Sequence, residues 1–268
     1  MNSKRNVIFL SFTFAVTWAT HWILAYIIQN DILQLEQSLS QLLLFVGGSG
    51  PIVAAYVAIA HTKDEGDQKE FHSRVLKVKV NYKWHLMVVL TPVVLGGVAV
   101  AIGYFCDNQS LVYNPIEPFY LYIPAFLNSI IAGGIEEFGW RGVVLPELLK
   151  KYNAMIATVI LGVIWALWHL PLFYIPGTGQ FEYSFIIFIL SCIGISGFLT
   201  WIYVNTKSIF LCVVFHASLN ASGIIGLTVL KSDIIAYVIY TILEVVIGLL
   251  LLMNLDKNNT EIKQEAGC

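Results

Sequence analysis

Long apolar stretches alternate with short polar connections along nearly the whole chain. Eight of them are long enough to cross a ~30 Å hydrocarbon core as helices. They lie at residues 7–28, 42–60, 84–105, 119–141, 154–173, 185–203, 209–230 and 234–255. The pattern predicts an all-α polytopic membrane protein: one membrane domain over residues 1–268, with no soluble domain, low-complexity tract or internal repeat. The first stretch is longer than a signal-peptide core and no small-x-small cleavage site follows it, so it reads as a retained span.

One stretch departs from this pattern. The apolar run from Phe119 to Ile135 leads without a polar break into Glu136 and Glu137, and Arg141 follows. A charge at hydrocarbon depth costs roughly 2.5–3.5 kcal/mol on insertion scales, and such charges usually serve a function. On a helix, Glu137 and Arg141 form an i,i+4 pair and neutralise each other. Glu136 lies about 140° around the helix from Arg141 and lacks that partner. One carboxylate is tied down and the other is free to take a proton. The alternative is a buried ion pair that locks two helices together.

Composition agrees with the membrane reading. Of 268 residues, 57% are apolar and 12% charged, and the mean hydropathy is +0.75, far from soluble globular usage. A net charge of −2 with no basic block gives no sign of nucleic-acid binding. With Arg141 set aside as intramembrane and the N-terminus placed inside, thirteen Lys and Arg fall on inside segments and only Lys231 outside. That bias predicts a cell-membrane protein with both termini cytoplasmic. The long charged connection 61–83 then faces the cytoplasm, where Lys77, Lys79 and Lys83 suit anionic headgroups. The four cysteines show no CxxC or zinc-finger spacing; Cys192 and Cys212 read as core thiols. Cys268 is the last residue, so it does not form a prenylation box. The run Gly47-Gly-Ser-Gly-Pro51 lacks the Lys-Ser/Thr of a phosphate loop and reads as a close-packing or kink site.

Other polar groups can reach the depth of Glu136. His169 follows 33 residues later on the next span, and the midpoint falls at Tyr152-Asn153, where the hairpin turns. In an antiparallel pair, residues equidistant from the turn share a depth. His216 and Asn220 are i,i+4 on the seventh stretch, one above the other. His216 lies about 13 Å from the Lys207 boundary and Glu136 about 25 Å from the outer start of its span. The depths agree if the hairpin end at 142–152 projects about 10 Å. The site is therefore expected in the inner half of the bilayer, open to the cytoplasm.

A free carboxylate, two imidazoles and an amide suit hydrolysis of a peptide bond. Glu136 and His169 can hold and deprotonate a water. His216 and Asn220 can donate to an oxyanion. Glu136, His169 and His216 are also an acceptable open zinc set, so a divalent metal stays an open alternative. HExxH, GxSxG and an acyl-enzyme nucleophile with a partner are all missing. His21 on the first span reads as an interfacial or packed histidine, and Glu244 on the last as a helix-packing hydrogen-bond donor or a group facing a cavity.

Three motifs in order, Glu136-Glu-x-x-x-Arg141, Trp165-x-x-x-His169 and His216-x-x-x-Asn220, resemble those of the CAAX protease and bacteriocin-processing family of intramembrane endopeptidases, also called Abi proteins. The motif region covers about 119–230. The resemblance implies that Glu136 is the base for the attacking water with His169 beside it. It implies that His216 and Asn220 form the oxyanion site and that Glu137 and Arg141 support it. The second motif starts with Trp165 where the family usually has Phe, which keeps an aromatic wall. The expected protein is a membrane-embedded peptidase acting on a membrane-associated or lipidated peptide. The competing readings are a non-proteolytic transporter and a bacteriocin self-immunity protein; the lack of internal symmetry counts against the transporter.

Overall fold

The computed structural model describes residues 3–61, 64–106, 119–181, 183–224 and 234–265. These residues form helices and turns with no strand, as expected of an all-α chain. The helices are α1 (Ser3–Gln29), α2 (Ser38–Gly48), α3 (Gly50–His61), α4 (Glu65–Val75), α5 (Tyr82–Cys106), α6 (Tyr122–Ala132), α7 (Glu137–Gly139), α8 (Leu145–Leu149), α9 (Ala154–Trp168), α10 (Phe185–Thr206), α11 (Ile209–Ile224) and α12 (Ile234–Glu265). Among the described residues, six helical segments are long and apolar enough to cross a membrane: Lys4–Gln29, Ser38–His61, Tyr82–Ala99, Ala154–Tyr174, Phe185–Thr206 and Tyr237–Leu255.

Two of the eight expected spans differ. Helix α11 is apolar but only 16 residues long, and residues 225–230 of that span lie outside the described residues. The fourth span, 119–141, is broken. A 3₁₀ turn (Phe119–Leu121) leads into α6, which stops at Gly133 (φ −165°, ψ −48°). A second 3₁₀ turn (Gly134–Glu136), the single turn α7 and a π-helical stretch (Trp140–Val144) follow before α8. Among the described residues, the carboxylates therefore sit at a discontinuity rather than on a regular helix. Local 3₁₀ and π geometry inside a helix often marks a functional position.

Local chemistry explains the other boundaries that frame the site. The Asn153 side chain caps α9 by accepting from the Ile156 amide at 2.9 Å. Helix α10 ends on Lys207 in the left-handed region (φ 53°). Ser208 then caps α11 by accepting from the Leu211 amide. The Gly47–Pro51 run separates α2 from α3 and lets both approach α1 closely. A Cβ at Gly47 would lie 2.2 Å from His21 Nε2, and Thr17 Oγ1 donates to the Gly47 carbonyl at 2.7 Å.

Helix α1 is built into the bundle. Phe9 meets the Trp140 ring edge-on at 5.2 Å, and Trp168 Nε1 donates to Thr17 Oγ1 at 2.8 Å. At one end of the molecule Arg5 bridges Glu147 (2.5 Å) and Asp67 (3.2 Å). Lys150 also reaches Glu147, and Arg74 donates to Tyr203 Oη. This basic end carries Arg5, Arg74, Lys77, Lys150 and Lys207. The opposite end holds the connections 30–37 and 175–184, joined where Gln29 Nε2 donates to the Tyr174 carbonyl at 2.6 Å. Helices α10 and α12 cross closely at Gly194, Gly197 and Gly248. There Glu244, buried and absent from the lining of the cavity described below, accepts from Ser191 Oγ at 2.5 Å.

Candidate active site

The break at Gly133 turns the chain so that the two adjacent carboxylates point to different partners. Glu137 is fully buried. Arg141 reaches it at 3.0 Å, one turn on, making the expected i,i+4 pair despite the irregular helix. Arg141 is fully buried as well. Its guanidinium also donates to Ser196 Oγ on α10 at 2.9 Å and lies 5.1 Å from the Trp165 ring centre. A buried guanidinium with an anion, a hydroxyl and an aromatic face is well compensated. Glu137 has a second partner that sequence reasoning missed. His216 Nδ1 lies 2.8 Å from its Oε1. Because the carboxylate only accepts, Nδ1 carries the proton and Nε2 is left facing away from it.

Among the described residues, no Arg or Lys pairs with Glu136. Its Oε2 accepts from Trp165 Nε1 at 2.8 Å and from Trp140 Nε1 at 3.4 Å. Among the described residues no donor takes Oε1. The group is only 5% exposed and lines a cavity. Trp140 was not singled out in the sequence, though its place four residues after Glu136 was a usable signal.

His169 ends α9 as its C-cap. Its Nδ1 lies 2.9 Å from the Trp165 carbonyl, which can only accept. The imidazole is thereby held as the Nδ1–H tautomer, with Nε2 offering a lone pair. The rings of Trp168 (4.5 Å) and Phe188 (5.2 Å) clamp it edge-on. Trp165 is more than the expected wall: it donates to Glu136, offers its carbonyl to His169, and meets His216 edge-on at 5.3 Å.

The four residues expected to cooperate gather round one space. Glu136, His169, His216 and Asn220 all line a cavity of about 590 Å³. His216 and Asn220 converge on Gly133, where a Cβ would lie 3.2 Å from His216 Nε2 and 2.4 Å from Asn220 Nδ2. His21 lines the same cavity, with Nε2 3.3 Å from the Leu44 carbonyl.

The cavity extends away from the basic end of the molecule. Its lining runs past Leu35 and Gln41 to Gly177, Thr178, Gly179 and Gln180, at the end opposite the basic one. His169 stands fifteen residues from Ala154 at the basic end of α9, about 22 Å at helical rise. The depth argument assumed a regular fourth span, and the break at Gly133 removes that assumption. The cavity is also open sideways. Phe45 of α2 and Ile131 of α6 line it while remaining more than half exposed.

Among the described residues, no three of His, Cys, Asp and Glu are grouped so as to hold a metal ion. Glu136, His169 and His216 share the cavity without being grouped as a coordination set; each imidazole gives Nδ1–H to a protein acceptor and keeps Nε2 free, as a metal-ligating histidine also does.

Comparison with known proteins agrees with the three motifs. Residues 118–222 match the family described as Rce1-like, type II CAAX prenyl endopeptidase. The chain is also 27% identical over 223 residues to CAAX prenyl protease 2 of Methanococcus maripaludis, covering 79% of this chain and 81% of that protein.

Proposed function

We propose that this chain, a membrane-embedded peptidase of the CAAX prenyl endopeptidase type, hydrolyses a peptide bond near the C-terminus of a lipidated, membrane-tethered substrate, with Glu136 as general base. The observation that carries this reading is the shared cavity. A carboxylate, an imidazole lone pair and an amide donor face one cavity.

A water sits between Glu136 and His169 Nε2. Glu136 Oε1 takes one of its protons as the water oxygen attacks the scissile carbonyl carbon. The carbonyl oxygen becomes an oxyanion and accepts from Asn220 Nδ2 and from His216 Nε2. With Nδ1–H given to Glu137, His216 donates from Nε2 only as the imidazolium, and the Glu137 carboxylate is its counter-ion. Collapse of the tetrahedral intermediate breaks the C–N bond. Glu136 returns the proton to the departing amine, leaving a new carboxyl terminus and a free N-terminal amine.

The sideways opening between α2 and α6 supports a substrate delivered from the bilayer. Phe45 and Ile131 can accompany an apolar chain from lipid to the carboxylate without passing it through water. The relative in M. maripaludis bears the name of a prenyl protease, and a prenylated peptide is the substrate class to try first.

The test is cleavage of a prenylated, fluorogenic C-terminal peptide by the purified chain in lipid. Glu136→Gln is expected to lower kcat by at least about 10²-fold, as loss of a general base does, with an unchanged unfolding profile. Retention of full activity would sink the peptidase mechanism and return the cluster to a transport or immunity role. The same assay after dialysis against chelator is expected to retain its rate. A loss restored by zinc would instead make Glu136, His169 and His216 metal ligands.

A further inference from the structure

A second cavity, of about 720 Å³, lies at the basic end, far from the carboxylates. It is bounded by α4, α8 and the start of the α10–α11 turn. Arg74, Lys77, Lys150 and Lys207 line it, against a single acid, Glu70. Lys150 is occupied by Glu147 at 2.6 Å. Arg74 donates from Nη1 to Tyr203 Oη at 2.5 Å and from Nε to the Glu70 carbonyl at 3.4 Å, with the Glu70 carboxylate 3.6 Å from Nε, and no described acceptor takes its Nη2. Among the described residues, no carboxylate pairs with Lys77 or Lys207.

The backbone holds these cations in place. Lys207 takes up the left-handed conformation at φ 53°, with its ammonium 5.4 Å from the Tyr203 ring centre. The Lys77 carbonyl accepts from Ser208 Oγ at 2.6 Å, which ties the α4–α5 connection to the α10–α11 turn. Partial burial, and then the nearby Arg74 and Lys77 charges, push the Lys207 pKa below its ordinary value. Four cations crowd this cavity; Glu70 pairs with Arg74 and Glu147 with Lys150, which leaves Lys77 and Lys207 without a carboxylate among the described residues.

The flank of this cavity is apolar. Leu76 and Val78, on either side of Lys77, are 74% and 46% exposed. Trp84 and Trp201 pair nearby at 4.7 Å, and indoles of this kind favour the headgroup level of a bilayer. A soluble anion would account for the cations but not for the exposed leucine and valine beside them. Basic pockets between membrane helices recognise phosphate-bearing headgroups, whose chains need an apolar surface alongside.

We propose that this cavity binds the phosphate headgroup of an anionic phospholipid, with Arg74, Lys77 and Lys207 contacting the phosphate and Leu76 and Val78 lying against the acyl chains. The full chain, purified in detergent, would be offered equal amounts of phosphatidylglycerol and phosphatidylcholine, and the retained lipid counted by native mass spectrometry. Phosphatidylglycerol is expected to be retained in excess. Lys77→Gln with Lys207→Gln should weaken that retention about tenfold or more, on the order of two surface cations meeting an anionic lipid. Both ammonium groups lie outside the catalytic cavity, so this double variant should keep peptidase activity in neutral lipid, which also verifies its fold. Lys79→Gln with Lys83→Gln removes the same charge outside the cavity and should leave retention unchanged. Equal loss in both double variants, or no preference in the parent chain, would overturn the proposal. Thermal protection by millimolar inorganic phosphate equal to that by phosphatidylglycerol would overturn the lipid assignment and put a soluble anion there.

Discussion

Adjacent carboxylates at positions 136 and 137 receive opposite environments, and this divides their roles. Glu136 meets two indole N–H groups and a cavity. Glu137 meets a guanidinium and an imidazole, both buried. Removing the charge at 137 leaves Arg141 buried with only Ser196 and the Trp165 face. Glu137→Gln is therefore expected to destabilise the protein by about 3–5 kcal/mol, the usual cost of breaking a buried pair from one side. It should also lower kcat, because His216 loses the counter-ion of its donating state. Unfolding in detergent and steady-state kinetics would separate the two effects. A stability indistinguishable from the parent would mean that Arg141 has another anion.

The decisive local structure is the interruption after α6. Gly133 lets Asn220 and His216 approach the backbone to distances that a side chain forbids, and the turns after it carry Glu136 into the cavity. A methyl group there has to displace the Asn220 amide by about an ångström. Misplacement on that scale costs on the order of 10²-fold in rate. Gly133→Ala is expected to show that loss in kcat with little change in KM, measured on the prenylated peptide. A rate within twofold of the parent would mean that Asn220 does not hold the oxyanion.

For the whole molecule, the basic end is clamped by Glu147, which accepts from both Arg5 of α1 and Lys150. Burial raises the Glu147 pKa, but Lys150 and Arg5 outweigh it and hold the carboxyl below its ordinary value. A carboxylate with a lowered folded pKa contributes stability above its ordinary pKa of about 4.3 and loses it as pH falls through the folded value. The parent chain should thus lose thermal stability on acidification below about pH 4, and Glu147→Gln should flatten that part of the profile. A Glu147→Gln profile parallel to that of the parent would remove Glu147 from the account.

Much of this protein follows from its sequence because a bilayer imposes strong one-dimensional rules. Apolar length predicts spans, and a charge that survives at membrane depth stands out against them. The all-α class, the Glu137–Arg141 pair and the gathering of Glu136, His169, His216 and Asn220 were legible for that reason, although the regular fourth span assumed in relating their depths is broken at Gly133. The tertiary structure alone decided where the fourth span breaks, that His216 answers to Glu137, that Trp165 and Trp140 hold Glu136, and toward which end the cavity extends. Those features depend on backbone departing from regular helix and on contacts between residues far apart in the chain, and neither leaves a periodic trace in the sequence.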